Sequence, residues 1–153
     1  MIVLQDSKEK LPWDFTIYPD VEEQRVVHLE TADYTILGKE LSICIERKKS
    51  VGEIAINLGK KSKQFLAEMD RMLEFDRRII LCEFPAYRIL EFPKGSGIPH
   101  RRWRYLRMNG KYINKCLYEW TAERSIELYF ANDAQQAQDM AMELLRSVYE
   151  ENK

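Results

Sequence analysis

The segment from Tyr34 to Lys48 places the tightest limit on how this chain can fold, because it has the pattern of a β-hairpin. Apolar and polar side chains alternate over Ser42–Lys48, and this period of two is typical of a strand with one face toward a core. Tyr34–Leu37 is a second short apolar run, and the intervening Gly38-Lys39-Glu40 has the composition of a turn. We therefore expect two adjacent antiparallel strands.

The charged residues of this hairpin gather at one end of the sheet. Glu46 and Lys48 are two residues apart on a strand, so both side chains project from the same face. Asp33 precedes or begins the neighbouring strand. Two carboxylates and an ammonium group brought together in this way can hold a hard divalent cation beside a proton partner, as in a phosphodiesterase centre. From spacing alone the alternative is a surface salt bridge between Glu46 and Lys48, worth at most ~1 kcal/mol.

Length and composition set the broad class. A chain of 153 residues suits a single domain with a sizeable core, and 45% hydrophobic with 32% charged residues is ordinary for a globular protein. No apolar run approaches the length of a membrane span, and the first residues do not resemble a signal peptide. We expect no membrane association and a cytoplasmic, nucleoid or nuclear location. The three widely spaced cysteines predict reduced, buried thiols.

The distribution of charge is more informative than its total. The net charge is −1, yet the stretch from Phe92 to Tyr118 contains no acidic residue. Its basic residues are Lys94, Arg101, Arg102, Arg104, Arg107, Lys111 and Lys115. A second basic cluster comprises Arg47, Lys48, Lys49, Lys60, Lys61 and Lys63. Two basic patches on a nearly neutral chain favour a polyanionic partner that meets one face of the protein.

The rest of the chain alternates predicted strands and helices. The other predicted strands are Met1–Leu4, Arg25–Glu30, Arg78–Phe84 and Ser125–Phe130. The predicted helices cover 51–58, 62–75 and 111–123, followed by a last helix after Asp133, with Ser62 and Asp133 as N-caps. Tyr87–His100 is rich in glycine and proline and predicts a loop. This order describes an α/β fold: a mixed β-sheet flanked by helices, with early strands antiparallel and later ones joined by crossovers.

Three short charged motifs follow one another along the chain: Asp6-x-x-Glu9, Leu29-Glu30-x-x-Asp33-Tyr34 and Ile45-Glu46-Arg47-Lys48. With them, the chain resembles the nuclease domain of the XPF/Hef family, structure-specific endonucleases of the PD-(D/E)XK superfamily. Asn57-Leu58-Gly59-Lys60 followed by Gln64 is similar to the family's Gly-Arg-x-x-x-Gln helix start. The resemblance covers most of the chain except Ala86–Gly110, and it implies a restriction-endonuclease-like α/β core.

The resemblance also implies roles for the motif residues. Asp33 and Glu46 would ligate Mg²⁺ or Mn²⁺, and Asp6 and Glu9 would lie near the metal as ligands or as supports of the ligands. Lys48 would lie beside the attacking water. Arg47, on the opposite face of its strand, would brace the site or contact a phosphate. For Asp6 the alternative is a turn residue at the end of a strand.

DNA contacts are expected from two further groups of residues. The resemblance places Lys60 and Gln64 against the DNA backbone. The run from His100 to Tyr105 interleaves aromatic residues with Arg101, Arg102 and Arg104, which suits phosphate contacts and stacking on an unpaired base. The alternative for this run is a solvated basic helix in which Trp103 and Tyr105 are simply buried.

The resulting hypothesis is a metal-dependent DNA endonuclease that cuts branched, flap or fork DNA in repair or recombination, as a homodimer. The alternatives are a non-catalytic DNA-binding scaffold and a junction-resolving or restriction-like enzyme. The sequence departs from the family pattern at Ala32, where glycine is usual, at Lys8 for arginine, and at Glu53 for aspartate. The family's helix-hairpin-helix module has no counterpart, and a small stand-alone copy would suit phage or mobile-element DNA.

Overall fold

The computed structural model describes residues 1–151. Within this range a mixed sheet forms the centre, and its six strands are β1 Ile2–Asp6, β2 Glu23–Val27, β3 Tyr34–Ile36, β4 Ile43–Lys48, β5 Arg77–Cys82 and β6 Glu127–Phe130. The α-helices of the same range are α1 Val51–Leu58, α2 Ser62–Arg71, α3 Tyr87–Leu90, α4 Gly110–Glu123 and α5 Ala134–Glu151. Short 3-10 helices lie at Phe15–Ile17, Met72–Glu74 and His100–Tyr105.

The strands lie in the order β2-β1-β3-β4-β5-β6. As predicted, β3 is antiparallel to both β1 and β4, and β5 and β6 continue in parallel from β4. The prediction that the early strands are all antiparallel is wrong for β2, which pairs parallel to β1 at the edge of the sheet. The chain between them is long enough for a crossover, and it anchors itself with the buried side chains of Trp13 and Phe15.

Helices cover both faces of the sheet, so the α/β fold expected from the sequence is confirmed. On one face Ile43 and Ile45 of β4 pack in a core with residues of α5 such as Ala141 and Leu145. On the other face Cys44 belongs to a second core that α1, α2 and α4 supply. Strand β4 is therefore covered on both faces, and its alternate residues serve two different environments.

The helix ends only partly follow the predicted caps. The Asp133 carboxylate accepts a hydrogen bond from the Gln136 amide at 2.8 Å, as an N-cap should. The Ser62 prediction is wrong, because Ser62 is the first helical residue of α2 and its amide donates to the Gly59 carbonyl at 3.1 Å. Ser50 instead caps α1 through the Glu53 amide, at 3.1 Å.

The segment Tyr87–His100, predicted as a loop, is more structured than expected, since it contains α3, and a 3-10 helix begins at its last residue. Helix α3 packs closely on α4 at Gly110, where an added Cβ would lie 2.4 Å from the Ile89 carbonyl oxygen. The three cysteines are free and buried, as predicted. Across residues 1–151, no helix combines the length and apolar character that crossing a membrane requires.

Candidate active site

Main-chain hydrogen bonds fix Asp33 between two strands. Its amide donates to the Ile45 carbonyl at 2.9 Å, and its own carbonyl accepts from the Asp6 amide at 2.8 Å. Its Oδ2 accepts from the Arg47 amide at 2.8 Å. The preceding Ala32 has φ = 63°, the left-handed region that glycine enters without strain. This backbone geometry explains why glycine is the more natural residue at position 32.

Asp33 and Glu46 form a half-buried pair of carboxyl groups. Burial raises the pKa of Asp33 to about 9, and the nearby charges of Glu46 and Glu9 add to the effect. Burial likewise raises the pKa of Glu46, against the opposing pull of Lys48 and of a hydrogen bond with Asp33. Two hydrogen-bonded acidic groups cannot both ionise cheaply, and the charge of Glu46 favours the protonated form of Asp33.

The Lys48 ammonium lies between two glutamates. Its Nζ is 3.7 Å from Oε1 of Glu46 and 3.7 Å from Oε1 of Glu53, and it sits 4.8 Å from the centre of the Phe65 ring. Burial alone would lower the pKa of Lys48, but the two glutamates outweigh it and raise it. The side chain is only 5% exposed, so this ion pair is not the surface salt bridge that spacing alone allowed.

A cleft of about 530 Å³ opens over the acidic pair. Asp6, Asp33 and Glu46 contribute to one wall. The other wall is a row of α2 side chains, most of which the sequence did not predict. That row consists of Gln64, Glu68 and Arg71. The i, i+4 and i+7 spacing of these residues on a predicted helix was the available signal. Among them only Gln64 was predicted, and it lies where a ligand in the cleft would touch it.

The chemistry of the acidic pair fits a hard divalent cation. Carboxylate oxygens are the donors that Mg²⁺ and Mn²⁺ prefer, and a bound cation would relieve the repulsion that raises the pKa of Asp33. Within residues 1–151, no group of three His, Cys, Asp or Glu side chains converges in a way that could hold a metal ion. A metal held by Asp33 and Glu46 would therefore need water and main-chain oxygens for its remaining ligands.

Asp6 and Glu9 lie near the pair of Asp33 and Glu46, but each also contacts other residues. Asp6 is on the cleft wall, and its Oδ1 accepts a hydrogen bond from the Leu29 amide at 3.0 Å. Glu9 is nearly buried and faces cations: its carboxylate oxygens are 3.7 Å from Arg47 Nη1 and 3.5 Å from Lys49 Nζ. Asp6 therefore makes the strand-end contact of its alternative role while it still faces the cleft, and Glu9 contacts Arg47, so the metal-site roles of both residues stay predictions.

Arg47 is a brace beneath the site. It points away from Glu46 and Lys48, donates through Nε to Glu83 and through Nη1 to the Leu11 carbonyl at 2.8 Å, and lies 4.7 Å from the centre of the Trp13 ring. The residue is 6% exposed. Of the two roles expected from the sequence, the geometry matches the brace, because a phosphate in the cleft lies on the other face of β4.

The predicted DNA-contacting residues fall into two places. Gln64 faces the cleft, whereas Lys60 lines a separate groove together with Arg101, Arg102 and Arg104. The run from His100 to Tyr105 is a 3-10 helix with no buried residue, so the alternative in which Tyr105 is buried is wrong. Tyr105 is 69% exposed.

Comparison with known proteins identifies the fold. No family model matches the chain, and no curated protein matches it by sequence. Among solved structures, XPF from Aeropyrum pernix is similar over 98% of this chain, with a TM-score of 0.69 and 18% identity. A second structure, XPF from Aeropyrum pernix in complex with DNA, is similar over 95% of this chain, with a TM-score of 0.61 and 18% identity.

These likenesses confirm the expected class at the level of fold: the chain has the mixed-sheet α/β fold of XPF. It spans 66% and 64% of the two XPF chains, which are therefore longer than this one.

Proposed function

We propose that this chain is a divalent-metal-dependent DNA endonuclease that hydrolyses phosphodiester bonds in the cleft over Asp33 and Glu46. The observation that carries the proposal is the pair of carboxyl groups of Asp33 and Glu46 in the wall of that cleft, with the Lys48 ammonium 3.7 Å from Glu46. The fold shared with XPF supports it, and the DNA bound in one of the XPF structures supports DNA as the polymer.

In this proposal Asp33 and Glu46 hold Mg²⁺ or Mn²⁺. The metal would polarise the scissile phosphate and lower the pKa of a bound water. The chain's own residues then do the positioning. Asp33 is held by the Arg47 amide, and the Lys48 ammonium is held between Glu46 and Glu53, where it can orient the water and stabilise charge that develops on the phosphate.

The finer features follow from the resemblance of the motifs. We infer that the substrate is branched, flap or fork DNA met during repair or recombination, and that the active species is a homodimer. Fork, flap and linear DNA of one sequence, incubated in parallel, distinguish these substrates, and light scattering with and without DNA measures the oligomeric state.

The decisive experiment measures cleavage with Mg²⁺ or Mn²⁺ and its loss in EDTA. Glu46→Gln and Lys48→Ala should each reduce the rate by roughly 10²–10³, because each removes a preorganised charge from the reacting centre. Glu74→Gln and Lys39→Ala, which alter residues of the same types outside the cleft and outside both basic clusters, should leave it unchanged. If the wild-type protein fails to cut any of these substrates while remaining folded, the enzymatic proposal is wrong and the DNA-binding scaffold is favoured.

A further inference from the structure

A second concave surface lies beside the catalytic cleft, between α1 and the segment 92–108. It consists of two adjoining cavities of about 830 and 870 Å³ that share Ile56, Lys60, Ile98, Tyr105 and Leu106 in their walls. We call this surface the basic groove. The sequence comparison with XPF/Hef motifs found no counterpart for the segment that forms its outer wall.

The lining of the basic groove is largely apolar and carries an exposed aromatic ring. Ile56 is 51% exposed and Tyr105 is 69% exposed, which are large fractions for apolar and aromatic side chains. The Arg104 guanidinium lies 4.8 Å from the centre of the Tyr105 ring. Trp103 fixes this wall, since its indole N–H donates to the Ile98 carbonyl at 2.9 Å. Tyr105 is thus a stacking surface on an anchored support.

The rim of the basic groove carries positive charge that the protein does not neutralise. Lys60, Arg101 and Arg102 are exposed, and they form no ion pair with any carboxylate of residues 1–151. The acidic residue in the lining is Glu53, whose carboxylate is already paired with Lys48. Unpaired cations around an apolar floor complement a ligand that has both anionic and flat apolar parts.

The basic groove adjoins the catalytic cleft, although the two share no lining residue. Glu53 lines the groove and contacts Lys48 at 3.7 Å, and Lys48 in turn contacts Glu46 of the cleft at 3.7 Å. The turn between α1 and α2 also bridges them, because Lys60 lies in the groove and Gln64, one helical turn later, lies in the cleft. A polymer that lies in the groove and crosses this turn would meet the catalytic cleft.

We propose that the basic groove binds a segment of unpaired DNA, with a base stacked on Tyr105 and phosphates against Lys60, Arg101 and Arg102. The choice of DNA as the ligand rests on the proposed nuclease function. A single strand fits because its base faces are free to stack, whereas a duplex encloses those faces and presents phosphates, sugars and base edges to a protein surface.

The test is fluorescence anisotropy of a labelled 20-nucleotide oligo(dT), compared with a duplex of the same length, in EDTA so that no strand is cut. Tyr105→Ala should weaken oligo(dT) binding roughly 5- to 100-fold, the range for loss of one stacked base, and should affect the duplex much less. Tyr87→Ala is the matched control, because Tyr87 is also exposed and also carries an arginine, Arg88, at 5.5 Å from its ring centre. That control should stay within twofold of wild type.

The charged rim is tested separately. Replacing Arg101 and Arg102 together by glutamine should lower the slope of log affinity against log salt by about 1.4 for oligo(dT), about 0.7 for each lost phosphate contact. Arg25→Gln with Arg146→Gln makes the same change in net charge outside the groove and outside both basic patches, and should leave the slope unchanged. Thermal melting of each variant confirms that it is folded.

Equal effects of Tyr105→Ala and Tyr87→Ala, or an Arg101/Arg102 variant with the wild-type slope, would overturn the groove proposal and leave protein docking as the role of this surface. The outcome is independent of the cleavage assay. If Tyr105→Ala selectively loses oligo(dT) binding and the wild-type protein cuts no DNA, the groove proposal stands and the nuclease proposal is wrong. If the wild-type protein cuts DNA and Tyr105→Ala has no effect on binding, the nuclease proposal stands and the groove proposal is wrong.

Discussion

The two faces of strand β4 differ in how their charged side chains are paired. On one face Arg47 is matched to Glu83 and Glu9 and lies against Trp13, so a buried cation meets buried anions. On the other face Asp33 and Glu46 are held together with a single lysine; burial raises the pKa of both acids, and the charge of Glu46 raises that of Asp33 further. The alternation of side chains along β4 thus places the ion-paired Arg47 on one face and a site that can still bind a cation on the other.

The largest predicted effect lies on the supporting face. Arg47→Ala should lower the free energy of unfolding by about 3–5 kcal/mol, because it leaves Glu83 buried without its cation and removes one of the two cations near Glu9. Denaturant titration measures this loss. Arg25→Ala, which breaks an exposed pair with Glu23, should cost no more than about 1 kcal/mol. A similar small loss for Arg47→Ala would mean that the two faces of β4 do not differ in the way described.

The next effect concerns pH on the acidic face. Asp33 has a raised pKa of about 9 in the folded protein, so its protonated form stabilises the fold at low pH, and that stability is lost as the pH rises from the ordinary carboxyl range through about 9. In EDTA the free energy of unfolding should therefore fall with rising pH, by at most about 1.4 kcal/mol per pH unit.

Asp33→Asn sharpens the same test. Its amide oxygen can still accept from the Arg47 amide but cannot ionise, so the fall in stability above pH 6 should become shallower. Mn²⁺ should stabilise the wild-type protein increasingly as the pH rises, because it takes the place of the Asp33 proton, and it should not stabilise the variant. Parallel pH profiles of the two proteins in EDTA would contradict the assignment of the proton to Asp33.

The smallest predicted effect is on the backbone next to the site. Ala32→Gly should raise the free energy of unfolding by about 0.5–1 kcal/mol, because it removes the strain of a side chain at φ = 63°. Ala55→Gly in the middle of α1 is the control and should lower the free energy of unfolding instead. A loss of stability in Ala32→Gly would show that the Cβ of Ala32 contributes more through packing than it costs in strain.

The local parts of this structure were predictable from the sequence, and the long-range parts were not. The Tyr34–Lys48 hairpin and the shared face of Glu46 and Lys48 follow from alternation and from one turn. The parallel pairing of β2 with β1 depends on where the intervening segment buries Trp13, which no local pattern records. The close packing of α3 on Gly110 also escapes a reading of periodicity.

The sequence predicted which residues form the site better than it predicted the contacts between them. The order of the motifs predicted Asp33, Glu46 and Lys48. The hydrogen bond of Asp6 with the Leu29 amide and the ion pair of Glu9 with Arg47 were not predictable, because they join residues 23 and 38 positions apart in the chain. Glu68 and Arg71 were missed because charged residues on an amphipathic helix ordinarily face solvent.

The hydrogen bond from the Arg47 amide to Asp33 also limits how this hairpin can change in evolution. A slip of one residue between β3 and β4 would exchange the two faces of β4, putting a guanidinium in the cleft and two opposed charges in the wrong core. Insertions in the exposed turn at Gly38 can be absorbed if the strands keep their register. Loss of function by a single inserted residue, with every motif residue intact, is therefore expected within the strands and not in the turn.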